Sequence, residues 1–248
     1  TFNGVERTSV DKYIIPTTWR EIGAGVSGRL PDYSVNYQLM MVNGFNGYDS
    51  DGGVFSGKKG LRSGRQKGAE SYVTDFDFAG RVSYFGMLGW NLGASFYSGE
   101  SETSDFGADS TQIDIQMTGV DARYNNGNFQ ARAQYTVANL GNTQAYNAKT
   151  SNDLGSVMTG YYFEVGYDVL QGNSDNKLIL FGRYENYNTH DETEGFDANL
   201  AYDRTETTVG LTFKVADGAA FKMDYQLKGN EALDEDSKQV NVGIAVGF

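Results

Sequence analysis

The stretch YYFEVGYDV, residues 161–169, puts Tyr161, Phe163, Val165, Tyr167 and Val169 on one side of an extended chain. Tyr162, Glu164, Gly166 and Asp168 fall on the other, because successive side chains of a strand point to opposite faces. The same period of two recurs along most of the 248 residues. Phe129, Ala131, Ala133, Tyr135 and Val137 alternate with Gln130, Arg132, Gln134 and Thr136, and Phe221, Met223, Tyr225 and Leu227 with Lys222, Asp224, Gln226 and Lys228. Strands are expected near 18–30, 33–45, 75–86, 89–98, 111–125, 128–138, 156–170, 177–188, 203–215, 219–229 and 237–248. A change of phase near Gly119 predicts a bulge in the fifth of these. Helical periodicity is scarce, so the fold class is all-β and antiparallel.

Composition narrows the classes. The chain has a net charge of −12, no Cys, one His, two Pro, 32 Gly and 14% aromatic residues. Without Cys there are no disulfides or thiolate metal sites, and the acidic balance argues against a nucleic-acid partner. No stretch approaches the roughly 18 continuous apolar residues of a membrane helix. A membrane barrel escapes that test, since its two faces average to a polar mean, here −0.49 in mean hydropathy.

Connections alternate too. Short ones at 30–32, 86–89, 125–128, 171–176 and 216–218 interleave with long ones near 46–74, 98–111, 139–155, 188–202 and 229–236. Tyr33, Trp90, Tyr124, Phe129, Tyr167 and Phe221 lie beside the short turns on the apolar face, and Tyr84 with them. With Phe248 they predict the aromatic girdle of a transmembrane antiparallel β-barrel of about eleven strands. Such a barrel implies a single domain over 1–248 in the outer membrane of a Gram-negative bacterium, among outer-membrane lipid and lipopolysaccharide. Counting back from a periplasmic Phe248 makes residues 1–17 an extracellular loop. An odd number of upstream strands is then expected to lie elsewhere, because both termini of such barrels face the periplasm.

The polar face carries Asp77, Arg81, Arg123, Arg132, Glu164, Arg183, Glu185, Lys222 and Asp224 as expected pore-lining residues. Arg204, Lys214 and Lys228 share that parity. The mixture of signs reads first as a salt-bridged polar lumen and second as an anion filter. In the loop at 46–74, Lys58, Lys59, Arg62, Arg65 and Lys67 form a basic cluster among acidic loops. That cluster suits either a positive constriction or contact with anionic headgroups. The segment DSDGG at 49–53 only echoes a calcium loop, lacking the later Glu, so no metal is expected. His190, the sole His, sits in a predicted loop with no nucleophile motif, and neither an enzyme nor a cofactor is expected.

Three stretches carry a family resemblance: ERTSVDKYIIPTTWREIGAGVSG (6–28), NGYDSDGGVFSGKKGLRSGRQKGAES (46–71) and LILFGRYENYN (178–188). They resemble the phosphate-selective porin O and P family, in the C-terminal part of its pattern. The resemblance implies a barrel of about 16 strands, often a homotrimer, passing small polar or anionic solutes such as phosphate by diffusion. The C-terminal strand also resembles the signal that barrel assembly machinery reads in bacterial outer-membrane proteins. The alternatives are a non-transporting barrel for adhesion or scaffolding and a lipid-modifying barrel enzyme.

Overall fold

A computed structural model describes residues 2–68, 71, 73, 75–103, 111–170, 176–216 and 218–247. Phe248, expected in the girdle and in the assembly signal, lies outside the described residues. The elements in chain order are α1 (Val10–Tyr13), β1 (Gly23–Leu30), β2 (Val35–Val42), β3 (Asn46–Asp49), β4 (Gly52–Gly53), β5 (Asp77–Tyr84), β6 (Trp90–Glu100) and β7 (Glu102–Thr103). They continue with β8 (Asp114–Asn126), β9 (Phe129–Leu140), α2 (Thr143–Thr150), β10 (Val157–Asp168), β11 (Lys177–Glu192), β12 (Asp203–Ala216), β13 (Ala219–Asn230) and β14 (Leu233–Val246).

Among the described residues, eleven of these strands form one antiparallel meander, in the order β1-β2-β5-β6-β8-β9-β10-β11-β12-β13-β14. Strands β3, β4 and β7 make a small separate sheet in the loop region. The sheet is open. Strand β1 pairs with β2 and β14 with β13, and no pairing joins β1 to β14 among the described residues. The expected closed transmembrane barrel, as eleven strands or as part of about sixteen, is therefore overturned. Alternation fixes which side chains share a face, whereas closure depends on tilt and stagger between the first and last strands.

The two faces differ sharply. Tyr161, Phe163, Tyr167 and Val169 are exposed, while Tyr162, Glu164 and Asp168 are buried. The inner face is buried because residues 2–22 lie along it. Asn3 touches three strands: Nδ2 donates to Glu164 Oε1 at 3.0 Å, Oδ1 accepts from Gln130 Nε2 at 3.2 Å, and its carbonyl accepts from Thr212 Oγ1 at 2.6 Å. Gln130 and Thr212 sit on β9 and β12, about 14 Å apart on a flat sheet, so the sheet must curl around this segment. The N-terminal residues read as an extracellular loop are thus folded against the sheet.

No bulge forms at Gly119. Pairing of β8 with β6 and β9 runs in unbroken register through it. What changes there is chemistry: Ile115 and Met117 point to the same inner face as Gly119, Asp121 and Arg123. They join a buried cluster with Val10, Ile14, Phe45, Phe55, Leu61, Tyr97, Leu140 and Tyr187, gathered where the long connections meet the strands. The inner face is apolar at that end and charged farther along.

Candidate functional site: a basic cleft on the inner face

The charged part of the inner face is organised by Arg183, whose side chain is fully buried. Its Nε lies 3.1 Å from Glu185 Oε1 and its Nη1 3.6 Å from Glu164 Oε2. Arg132 grips Glu164 with both prongs, Nε at 3.1 Å and Nη2 at 3.0 Å, the geometry in which Arg and carboxylate match best. Parity explains the meeting, since Arg132, Glu164 and Arg183 are directly paired across β9, β10 and β11.

The N-terminal segment completes this network. Ser9 donates its N–H to Glu185 and its Oγ–H to Glu206 Oε1 at 2.8 Å. Val5 N–H donates to Asp224 Oδ2 at 2.6 Å, and Lys222 Nζ donates to the carbonyls of Phe2 at 2.7 Å and Gly4 at 3.1 Å. Burial pushes the Glu185 carboxyl up to about 7 even though Arg183 favours its charged form. Burial also lowers Lys222 from the usual range of a lysine amine.

Between this segment and strands β8 to β12 lies a cavity of about 630 Å³. Four cations line it, Arg7, Arg123, Arg132 and Lys214, against two carboxylates, Asp11 and Glu164. Glu164 is neutralised by Arg132 and Arg183. Asp11 accepts from Gln134 Nε2 at 2.9 Å. Among the described residues Arg7 and Lys214 make no ion pair, and Arg123 reaches only Asp121, at 3.9 Å, with its side chain 60% exposed. In a chain of net charge −12, a cleft holding three loosely partnered cations is a local inversion of sign.

The other expected site residues scatter. Arg81 is held by Asp121 at 2.7 Å, and Asp77 accepts from Tyr97 and from the N–H of Glu100. The basic loop divides: Lys58, Lys59 and Lys67 are exposed, while Arg62 and Arg65 bond Thr17 and Thr18. Tyr33, Trp90, Phe129, Tyr167 and Phe221 are exposed on the outer face, and Tyr124 stands between Trp90 and Phe129 with ring centroids 4.9 and 6.0 Å away. His190 is not solvated. It is 2% exposed, Nδ1 accepts from Asn199 N–H at 3.1 Å, and Nε2 therefore carries the hydrogen given to the Asp153 carbonyl. Burial lowers its pKa, so the ring is a neutral structural pin. Arg7 and Asp11 were missed in the sequence because nothing local ties them to strands more than a hundred residues away.

No family model matches the chain. An uncharacterized protein of Aquifex aeolicus (strain VF5) is 26% identical over 234 residues, 91% of this chain and 52% of that protein. The chain thus spans about half the length of this curated relative. In fold, the chain is similar to a porin. That structure, a porin refined at 1.8 Å, aligns with a TM-score of 0.51 at 12% identity, covering 92% of this chain and 62% of the porin. So low an identity carries the antiparallel fold alone. Membership of the phosphate-selective porin O and P family is not upheld. The diffusion channel, outer-membrane location, lipopolysaccharide and assembly-machinery contacts and homotrimer all rested on a closed barrel, and the open sheet removes that footing. Among the described residues no helix is long and apolar enough to cross a membrane, and no group of three or more His, Cys, Asp or Glu could hold a metal ion.

Proposed function

We propose that the inner-face cleft binds a small oxyanion, as a binding site without chemistry of its own. The observation that carries this reading is the set of three cations facing one cavity: among the described residues Arg7 and Lys214 make no ion pair, and Arg123 meets only Asp121, at 3.9 Å. Arg132 also lines the cleft, but its pairing with Glu164 leaves it little net charge to add. A cation already neutralised by a neighbour projects little field, whereas one left open in a partly enclosed cleft attracts counter-charge strongly. Asn3, Thr8 and Gln130 supply hydrogen-bonding side chains around the same space. The curled sheet and the N-terminal segment restrict water on two sides, which strengthens each charge–charge contact.

Isothermal titration of the full chain with inorganic phosphate at low ionic strength tests the reading. Binding is expected, weakening about tenfold in Arg123→Gln and again in Lys214→Gln, each loss matching about 1.4 kcal/mol. Raising salt to a Debye length of about 8 Å should weaken it further. Equal affinity in wild type and both variants would remove the cleft as the site.

A further inference from the structure

A second cavity of about 220 Å³ opens on the apolar end of the inner face, and it has different chemistry. Its side-chain walls are Trp19 and Ile15 from the N-terminal segment, Met40 from β2, Tyr97 from β6 and Met117 from β8. Trp19 stacks on Phe45 with centroids 4.2 Å apart and meets Tyr97 edge-on at 4.9 Å. The tryptophan is thereby held rigidly against the opening. Gly119 is part of the floor. A Cβ placed there would meet Ser95 Oγ at 3.3 Å and Thr136 Oγ1 at 3.4 Å, so a branched side chain at 119 would crowd both hydroxyls and intrude on the floor of the cavity.

The polar groups around the opening are mostly committed. Arg81 is bound to Asp121 through two contacts, of 2.7 and 3.0 Å. Tyr97 donates to Asp77, and Thr136 donates to the Thr118 carbonyl at 3.0 Å. Gln38, also in the lining, is exposed at the mouth, and its side chain makes no hydrogen bond among the described residues. We infer that this cavity is a binding site for a neutral ligand with a single aromatic ring and one hydrogen-bonding substituent, the ring against Trp19, Tyr97 and Met117 and the substituent toward Gln38. Size agrees, since a closed apolar cavity of about 150 Å³ already takes benzene. Aromatic edges and thioethers favour a ring over an alkyl chain. An anion is disfavoured, because the nearest guanidinium is already neutralised.

Phenol is the probe. The chain has two tryptophans, and Trp90 lies on the outer face, so a Trp90→Phe background isolates Trp19 emission. Phenol is expected to shift Trp19 emission saturably and to give heat by calorimetry with the same affinity. Gly119→Val, which fills the floor, should weaken phenol at least tenfold and leave phosphate affinity unchanged. Gln38→Ala should abolish the preference for phenol over benzene. Should Gly119→Val not fold, Met40→Phe fills the cavity from the β2 wall and applies the same test. No saturable shift, or equal phenol affinity in wild type and the cavity-filling variant, overturns the inference. The phosphate titration stands or falls separately.

Discussion

Arg183 is the residue on which the inner face depends. It is buried with no exposed side-chain surface, between Glu164 and Glu185, and each of those carboxylates also receives a donor from the N-terminal segment. Removing it leaves buried Glu185 beside Glu206 without its cation, while Glu164 keeps Arg132, and a stranded buried charge costs far more than the pair contributes when intact. Arg183→Met is expected to lower unfolding free energy by about 3–5 kcal/mol, read from urea denaturation. A change below about 1 kcal/mol would mean that water reaches the site and that Arg183 is not the organiser. Arg132, Glu164 and Arg183 were all legible as inward residues, because alternation alone assigns parity. Their partners Asn3 and Ser9 were not, since those contacts span 161 and more residues.

At the scale of elements, the long connections build a core of their own. Loop residues Phe55 and Leu61 are buried, Phe55 N–H donates to Tyr146 of α2 at 2.9 Å, and Thr189 of β11 donates to the Gly57 carbonyl. Gly57 sits against the ring of His190. A Cβ there would overlap His190 Nε2 and stand 2.6 Å from Tyr202 Cε2 and 2.8 Å from the Asp153 carbonyl. Gly57→Ala must therefore push apart the junction of loop, β11 and the 199–202 turn, at about 1–3 kcal/mol. A thermal melt with Tm unchanged within about 1 °C would show that the loop yields freely. All eleven strands of the main sheet were readable from the alternation, but the connections expected at 188–202 and 229–236 are shorter, since β11 runs on to Glu192 and only residues 231–232 separate β13 from β14. The bulge at Gly119 was a false inference. A switch from polar to apolar inward residues mimics a phase change when only one strand is inspected.

Across the whole molecule, buried acids set the response to pH. Burial pushes Glu21 up to about 8, with the Trp19 indole N–H opposing it and Asp77 adding to it. Burial likewise raises Asp77 to about 6 and Glu185 to about 7. Each group binds its proton more tightly folded than unfolded. Their contribution is therefore fully present below about pH 4 and lost as pH rises through about 6, 7 and 8. Stability should fall from about pH 5 to about pH 8 and level off above that, with Glu21→Gln making the fall shallower throughout. Thermal melts across that range decide it, and parallel pH slopes for wild type and variant would sink the assignment.

The sequence by itself determined the strands, their order as hairpins and the face each side chain takes. A period of two is local and needs no knowledge of neighbours. Only the tertiary structure decided what lies on the inner face and whether the sheet closes. Residues 2–17 carry no strand pattern, yet their N–H and carbonyl groups satisfy carboxylates and a lysine brought near by curling of the sheet. Closure is a relation between strands at opposite ends of the chain. The alternation that made the stretch at 161–169 so readable is the same in an open sheet and a closed one.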